Sequence, residues 1–115
     1  MVDLIYKICP RGLWLEAERI GRFDGAPVDL ADGYIHFSTA EQLAATAAKH
    51  FAGQDDLVLV AVDPSELGAA LKYEISRGGA LFPHLYAPLF LKAVSWVHPL
   101  PLGVDGTHLF PELSQ

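Results

Sequence analysis

The run DLVLVAVD at residues 56–63 constrains the fold more than any other segment. Between its two aspartates every residue is apolar, so no polar face is left. A run this short and rich in valine predicts a strand buried on both faces rather than a helix. The other elements have to be arranged around it.

Upstream, DLIYKIC at 3–9 has the β-branched and aromatic character of a strand and ends at Pro10. In LWLEAERIG, Leu13, Trp14, Ala17 and Ile20 fall at helical spacing, with Gly21 as the stop. RFDGAPVDLADG is rich in Asp, Gly and Pro and is expected to be a loop. YIHF then predicts a short strand. Ser38, with Glu41 three residues later, has the pattern of a capping box, so the next helix is expected to run through TAEQLAATAAKHF and stop near Gly53. Asp63 and Pro64 predict a short helix ending by Gly68. LKYEI at 71–75, ALF at 80–82 and LFLKAVSWV at 89–97 complete the strands, and the proline-rich tail from His98 is expected to wrap as a loop. Helices early and strands late argue for an α+β fold: a compact single domain, 1–115, with two main helices and a bent mixed, largely antiparallel sheet.

Apolar residues make up 51% of the 115, enough for a core. A net charge of −6 argues against an extended nucleic-acid surface. The single cysteine, Cys9, excludes an internal disulfide and a cysteine-based zinc site. No signal peptide is visible and no apolar run is long enough to span a membrane, so a cytoplasmic location is expected by default. Oligomeric state leaves no trace in the sequence.

Chemistry concentrates in two clusters. In GYIHFSTAEQ (33–42), alternation puts Tyr34 and His36 on one face of a strand and Ile35 and Phe37 on the other. His36, Ser38 and Thr39 then sit beside a helix N-terminus, where free N–H groups favour anions such as phosphate. A core histidine bonded to a neighbouring carbonyl fits the same pattern, and both readings stay open. In YEISRGGALFPHLYAPL (73–89), Arg77, His84 and Tyr86 surround a Gly78-Gly79 turn. A surface hairpin whose aromatics cover a sheet edge fits equally. His50, near the end of its helix, is expected to be solvent-exposed, His98 and His108 have no ligand spacing with each other, no metal motif is present, and neither a G-x-S-x-G elbow nor a phosphate-binding glycine loop occurs.

YKI, DGYIHFSTAEQ, LVLVAVDPSELG, LKYE and FPHLYAPLFLKAV together resemble, over nearly the whole chain, the bacterial domain-of-unknown-function family 952. That family is in turn similar to the ADP-ribosyltransferase fold, closest to its RNA 2′-phosphotransferase branch. There a strand reading roughly H-V-H-L-S precedes a helix and a strand ending in V-D-A. The likeness implies an ADP-ribosyltransferase-like fold. It puts His36 where a histidine or tyrosine flanks the nicotinamide or the phosphate-linked ribose, and Ser38 at the matching serine. Lys7 stands where the transferases carry a histidine or arginine, without the bidentate geometry of a guanidinium. The transferases' glutamate on the ribose 2′-hydroxyl has no clear counterpart, and His84 is offered in its place. The phosphotransferase branch also lacks that glutamate.

The expected function is therefore binding, or processing, of NAD, ADP-ribose or a phosphorylated nucleotide. His36 and His84 are the candidate catalytic residues, and Lys7, Ser38, Thr39, Arg77 and Tyr86 the candidate ligand contacts. The alternative is a non-enzymatic small-molecule or partner-binding module with structural histidines.

Overall fold

The computed structural model describes residues 3–113. In chain order the elements are β1 (Ile5–Pro10), α1 (Arg11–Ile20), β2 (Arg22–Phe23), α2 (Pro27–Asp32), β3 (Ile35–His36), β4 (Ser38–Thr39), α3 (Leu43–His50), β5 (Leu57–Val62), β6 (Leu71–Ile75), β7 (Leu81–Leu85), β8 (Leu89–Phe90) and β9 (Val94–Leu100), with single 3₁₀ turns between several of them.

All six residues of β5 are buried, as their lack of a polar face predicts. Alternation divides them between two layers. Val58, Val60 and Val62 pack with Trp14 and Ala17 of α1. Leu57, Leu59 and Ala61 pack with Leu43 and Ala47 of α3. Each such side chain removed from water contributes on the order of 1.5–3 kcal/mol, so β5 is the spine of the domain. It lies inside a four-stranded sheet of order β4-β1-β5-β9. A three-stranded sheet, β3-β7-β6, and a two-stranded ribbon, β2-β8, complete the framework. Every ladder is antiparallel among the described residues, so the mixed sheet expected from sequence is three antiparallel ones. The single strand expected over 89–97 is broken by a 3₁₀ turn at Leu91–Ala93 into β8, which pairs with β2, and β9, which runs on through His98 and Pro99 to Leu100. Pro99 is tolerated there because β9 is an edge.

α1 ends as predicted: Gly21 takes φ 92°, and its N–H donates to the Ala17 carbonyl at 2.8 Å. Two local expectations are corrected. Residues 22–33 are not a loop throughout, because they hold β2 and α2. Pro27 opens α2, Asp29 Oδ2 accepts the Ala26 N–H at 2.8 Å, and Gly33 closes it at φ 90°. Six residues are too few for a periodicity to show. The third helix also begins one residue later than predicted, with a 3₁₀ turn over Ala40–Gln42. Ser38 is not its cap: Ser38 Oγ pairs with Thr46 Oγ1 of α3 at 2.9 Å. Gln42, not Glu41, reaches back, accepting the Thr39 N–H at 3.0 Å and donating to the Leu81 carbonyl at 2.8 Å.

Gln42→Ala is accordingly expected to cost about 1 kcal/mol in a urea melt, the net worth of an ordinary hydrogen bond or slightly more. Glu41→Ala is expected to change little. An equal loss at Glu41 would restore the box expected from sequence.

No helix among the described residues is long and apolar enough to cross a membrane.

Candidate functional site

β3 and β4 are one extended segment that changes partner. Ile35 and His36 pair with Leu85 and His84 of β7, while Ser38 and Thr39 pair with Tyr6 and Ile5 of β1. Phe37 is the pivot: buried, with its N–H on the Pro83 carbonyl at 3.0 Å. β1 therefore has a β4 neighbour only at Ile5 and Tyr6, although it pairs with β5 along its whole length. Past Tyr6 the β1 edge is open, and a cavity of about 590 Å³ fills the split. Consecutive β1 residues Tyr6, Lys7 and Ile8 all line it, although their side chains alternate between faces, so it is the edge of the strand that forms the wall.

The register places His36 directly opposite His84. Their ring centroids are 5.6 Å apart, nearly edge to face. The Tyr34 ring lies against both, stacked on His84 at 4.1 Å and tilted on His36 at 4.6 Å, and touches Tyr86 at 5.2 Å. Tyr34 and His36 thus share a face while Ile35 and Phe37 are buried, as alternation predicts.

Each histidine is held by a carboxylate. Glu74, which β6 presents opposite Phe82 of β7, accepts from His84 Nδ1 at 2.7 Å and from the Tyr86 hydroxyl at 2.7 Å. Those two donors hold the Glu74 carboxyl below the usual carboxylate range, and the bond to Glu74 pushes the Tyr86 hydroxyl up to about 12. Glu74 thus fixes the His84 ring through Nδ1. His36 differs. Its Nδ1 lies 2.6 Å from Asp29 Oδ1 and its Nε2 2.9 Å from Asp32 Oδ2. Both of its ring nitrogens therefore face carboxylates.

Asp29 is the hub of this half. Oδ1 accepts from His36 Nδ1, from the His36 backbone N–H at 3.1 Å and from Lys7 Nζ at 2.9 Å. Oδ2 accepts the Ala26 N–H and lies 2.9 Å from Lys7 Nζ. The Asp29 side chain is 1% exposed and that of Lys7 7%. Burial pushes the Asp29 carboxyl upward, but the His36 bond, the Lys7 charge and the Ala26 N–H outweigh it and hold the group at about 2. The loop closes onto Asp29 only because residue 25 is glycine. At its φ of 127° a Cβ would lie 2.9 Å from Asp29 Cβ.

Of the residues expected from sequence, Lys7, His36, Ser38 and His84 line the cavity. Lys7 is no free phosphate ligand, since Asp29 matches its charge. Tyr86 is not in the lining; its hydroxyl bonds Glu74 and its ring lies against Tyr34. Thr39 is not in the wall; its N–H serves the helix start. The Arg77 side chain lies outside the described residues. His50 lines the far end of the cavity, while His98 and His108 bond the Pro99 and Gln54 carbonyls. Asp29 and Asp32 escaped the sequence reading. A lysine in an apolar strand signals a buried counter-charge, but fourteen acidic residues offer no way to choose it. Among the described residues no group of three or more His, Cys, Asp or Glu is arranged to hold a metal ion. Cys9 is buried, which pushes its thiol up to about 12 and leaves it inert.

Comparison with known proteins places this geometry. The model of the family described as "Protein of unknown function (DUF952)" matches residues 8–97. The crystal structure of protein CC0527 from Caulobacter crescentus is 54% identical, with a TM-score of 0.89 over 92% of this chain and 93% of that one. The solution NMR structure of CC0527 is 55% identical, with a TM-score of 0.82 over 90% of each chain. No curated protein matches.

Proposed function

Because the chain belongs to the DUF952 family, whose description assigns no activity, its function is read from the site, and we propose that the cavity binds a nucleotide-class ligand, namely NAD, ADP-ribose or a phosphorylated nucleotide, and turns it over through His36 and His84. One observation carries this reading. Two histidines stand opposite each other across β3 and β7, each with Nδ1 on a carboxylate, in one wall of a cavity. Structural histidines do not need such a pairing.

The two rings are chemically unequal. His84 is held through Nδ1 by one carboxylate, Glu74, while both nitrogens of His36 lie on carboxylates, Asp29 and Asp32. With ring centroids 5.6 Å apart, both imidazoles can reach one small group in the cavity, and a histidine is a competent general acid or base. Tyr34 adds an aromatic face on which a base or nicotinamide ring can stack. The cavity volume falls within the range of about 300–1,000 Å³ usual for small-molecule sites.

A second reading, binding without turnover, is favoured by a different observation. Asp29 takes up the charge of Lys7, which leaves no free lysine ammonium in the wall beside the two rings.

The test is a titration of NAD, ADP-ribose and a 2′-phosphorylated nucleoside followed by NMR, with released nicotinamide and inorganic phosphate assayed in parallel. His84→Gln is expected to leave the fold intact and to weaken binding about tenfold, as for an unpaired polar partner, and to abolish release. Binding with no product in the wild type would select the second reading. No perturbation of His36 or His84 by any of the three ligands would sink both.

A further inference from the structure

β6 is the outer strand of its sheet, and among the described residues it pairs with β7 alone. The flanking bonds fix which way its backbone faces. The Ser76 N–H donates to the Ala80 carbonyl and the Tyr86 N–H to the Ala70 carbonyl, so the even-numbered positions bond β7. The N–H and C=O groups of Leu71, Tyr73 and Ile75 point the other way, to an open edge. No backbone group of another element meets them among the described residues. The side chains alternate as well. Leu71, Tyr73 and Ile75 share one face, where Tyr73 is 48% exposed, Ile75 74%, and Leu81, directly opposite Ile75, 53%. Lys72 and Glu74 share the other face with His84, which lies directly opposite Lys72. Exposed apolar side chains along an open strand edge are what sheets normally avoid.

We propose that β6 pairs antiparallel with β6 of a second copy of this chain, about a two-fold axis at Tyr73. The strand reads LKYEI, and its charges are self-complementary about that centre. Leu71 meets the partner's Ile75, Lys72 meets the partner's Glu74, and Tyr73 meets the partner's Tyr73. The outward N–H and C=O groups of residues 71, 73 and 75 then all find counterparts. Lys72 and the partner's Glu74 fall at the intervening close pair, where Cα atoms are about 4.5 Å apart and side chains are nearest. Opposite charges there stabilise and like charges repel. A slide of two residues in either direction sets Glu74 against the partner's Glu74 or Lys72 against the partner's Lys72, so charge selects the register. A lysine on an edge strand ordinarily guards against pairing; with Glu74 two residues on, it admits the chain's own strand instead. Beyond the strand, Ala70 meets the partner's Ser76, and both are small. The pairing also reaches the histidine site. His84 Nδ1 and the Tyr86 hydroxyl both bond Glu74 Oε1, which leaves Oε2 without a bond among the described residues. The Glu74 side chain is 39% exposed. The partner's Lys72 completes it, so each copy steadies the carboxylate that holds the other's His84. None of this depends on what the cavity binds.

The experiment is sedimentation of the whole chain over a concentration series, with amide hydrogen exchange at each step. One strand pair is a small interface, so a dissociation constant of about 10–100 μM is expected. Exchange at Leu71, Tyr73 and Ile75 is expected to slow as the dimer forms, with little change at Lys72 and Glu74, whose N–H groups already bond β7. Tyr73→Pro removes an N–H that points away from β7, so it keeps the hairpin and is expected to stay monomeric. Lys72→Glu sets like charges against each other on both sides of the axis and is expected to weaken the dimer about tenfold or more. Glu74→Lys is expected to do the same. An equimolar mixture of those two variants is expected to pair nearly as well as the wild type, because each lysine then meets a glutamate. If the proline disrupts the hairpin, the charge variants and their mixture decide alone. A wild type that stays monomeric to about 1 mM leaves the edge to some other strand and overturns the proposal. So does a dimer that a folded Tyr73→Pro variant keeps, or a mixture no tighter than either charge variant by itself.

Discussion

Asp29→Ala is expected to cost about 3–5 kcal/mol, the loss typical of breaking a buried ion pair. That is a large share of the roughly 5–15 kcal/mol available to a small domain. Four groups lose their acceptor at once: the Lys7 ammonium, the His36 ring, the His36 backbone N–H and the Ala26 N–H. Lys7 is worst placed, because its side chain is 7% exposed and cannot reach water without opening the cleft. The effect belongs to the unmatched charge and not to the pair as such. Replacing both partners with apolar residues, Lys7→Met with Asp29→Leu, is therefore expected to recover much of the loss, while abolishing the orientation of His36. Urea melts of the single and double variants measure both. A single-variant loss below about 1 kcal/mol would mean that Asp29 is not the hub described here.

The same carboxylate is expected to give the protein a steep acid limit. Its folded value of about 2 lies below the ordinary 3.8. A group whose folded value is depressed binds protons more readily in the unfolded chain. Its contribution is therefore complete above about pH 4 and is lost as the pH falls towards 2 and below. The difference corresponds to about 2 kcal/mol from this one group. Chemical denaturation at pH 6, 4, 3 and 2 reads the curve. The Lys7→Met, Asp29→Leu variant supplies the control, since other carboxylates such as Glu74 also titrate low. The wild type should lose about 2 kcal/mol more than the double variant over that interval. Parallel curves would remove Asp29 as the cause.

How much of this was legible in the sequence differs from element to element. β5 was plain because its six apolar residues satisfy two layers at once, and no register or partner had to be known. The end of α1 was plain because Gly21 marks it locally. The two histidine clusters stood out as polar and aromatic islands, and the structure brings them together. What joins them was not legible. The partner change at Phe37 is a tertiary event: the residue that ends one ladder is chosen by where Pro83 lies. α2 is too short to show a period, and with it Asp29 disappeared into an apparent loop. Ser38 and Glu41 had the spacing of a cap, but the competing bond to Thr46 and the reach of Gln42 to Leu81 moved the helix start. At the helix start the local rule failed because Ser38, which lines the cavity, had a better distant partner in Thr46.

The register of β3 against β7 has a consequence for how the molecule assembles. Each histidine and its carboxylate are close in sequence: Asp29 precedes His36 by seven residues and Glu74 precedes His84 by ten. Each half-site can therefore form early, as a local unit around one short helix or one hairpin. The halves themselves are 48 residues apart (84 − 36) and meet only when β3 docks on the finished β6–β7 hairpin. Closing a loop of that size is among the slow steps for a small domain. A slip of one residue in the docking would turn the His36 side chain to the opposite face. The site is thus a record of correct folding. A nascent chain that has reached Val62 already holds Lys7, Asp29 and His36, but it has no second ring to set against the first until the hairpin arrives.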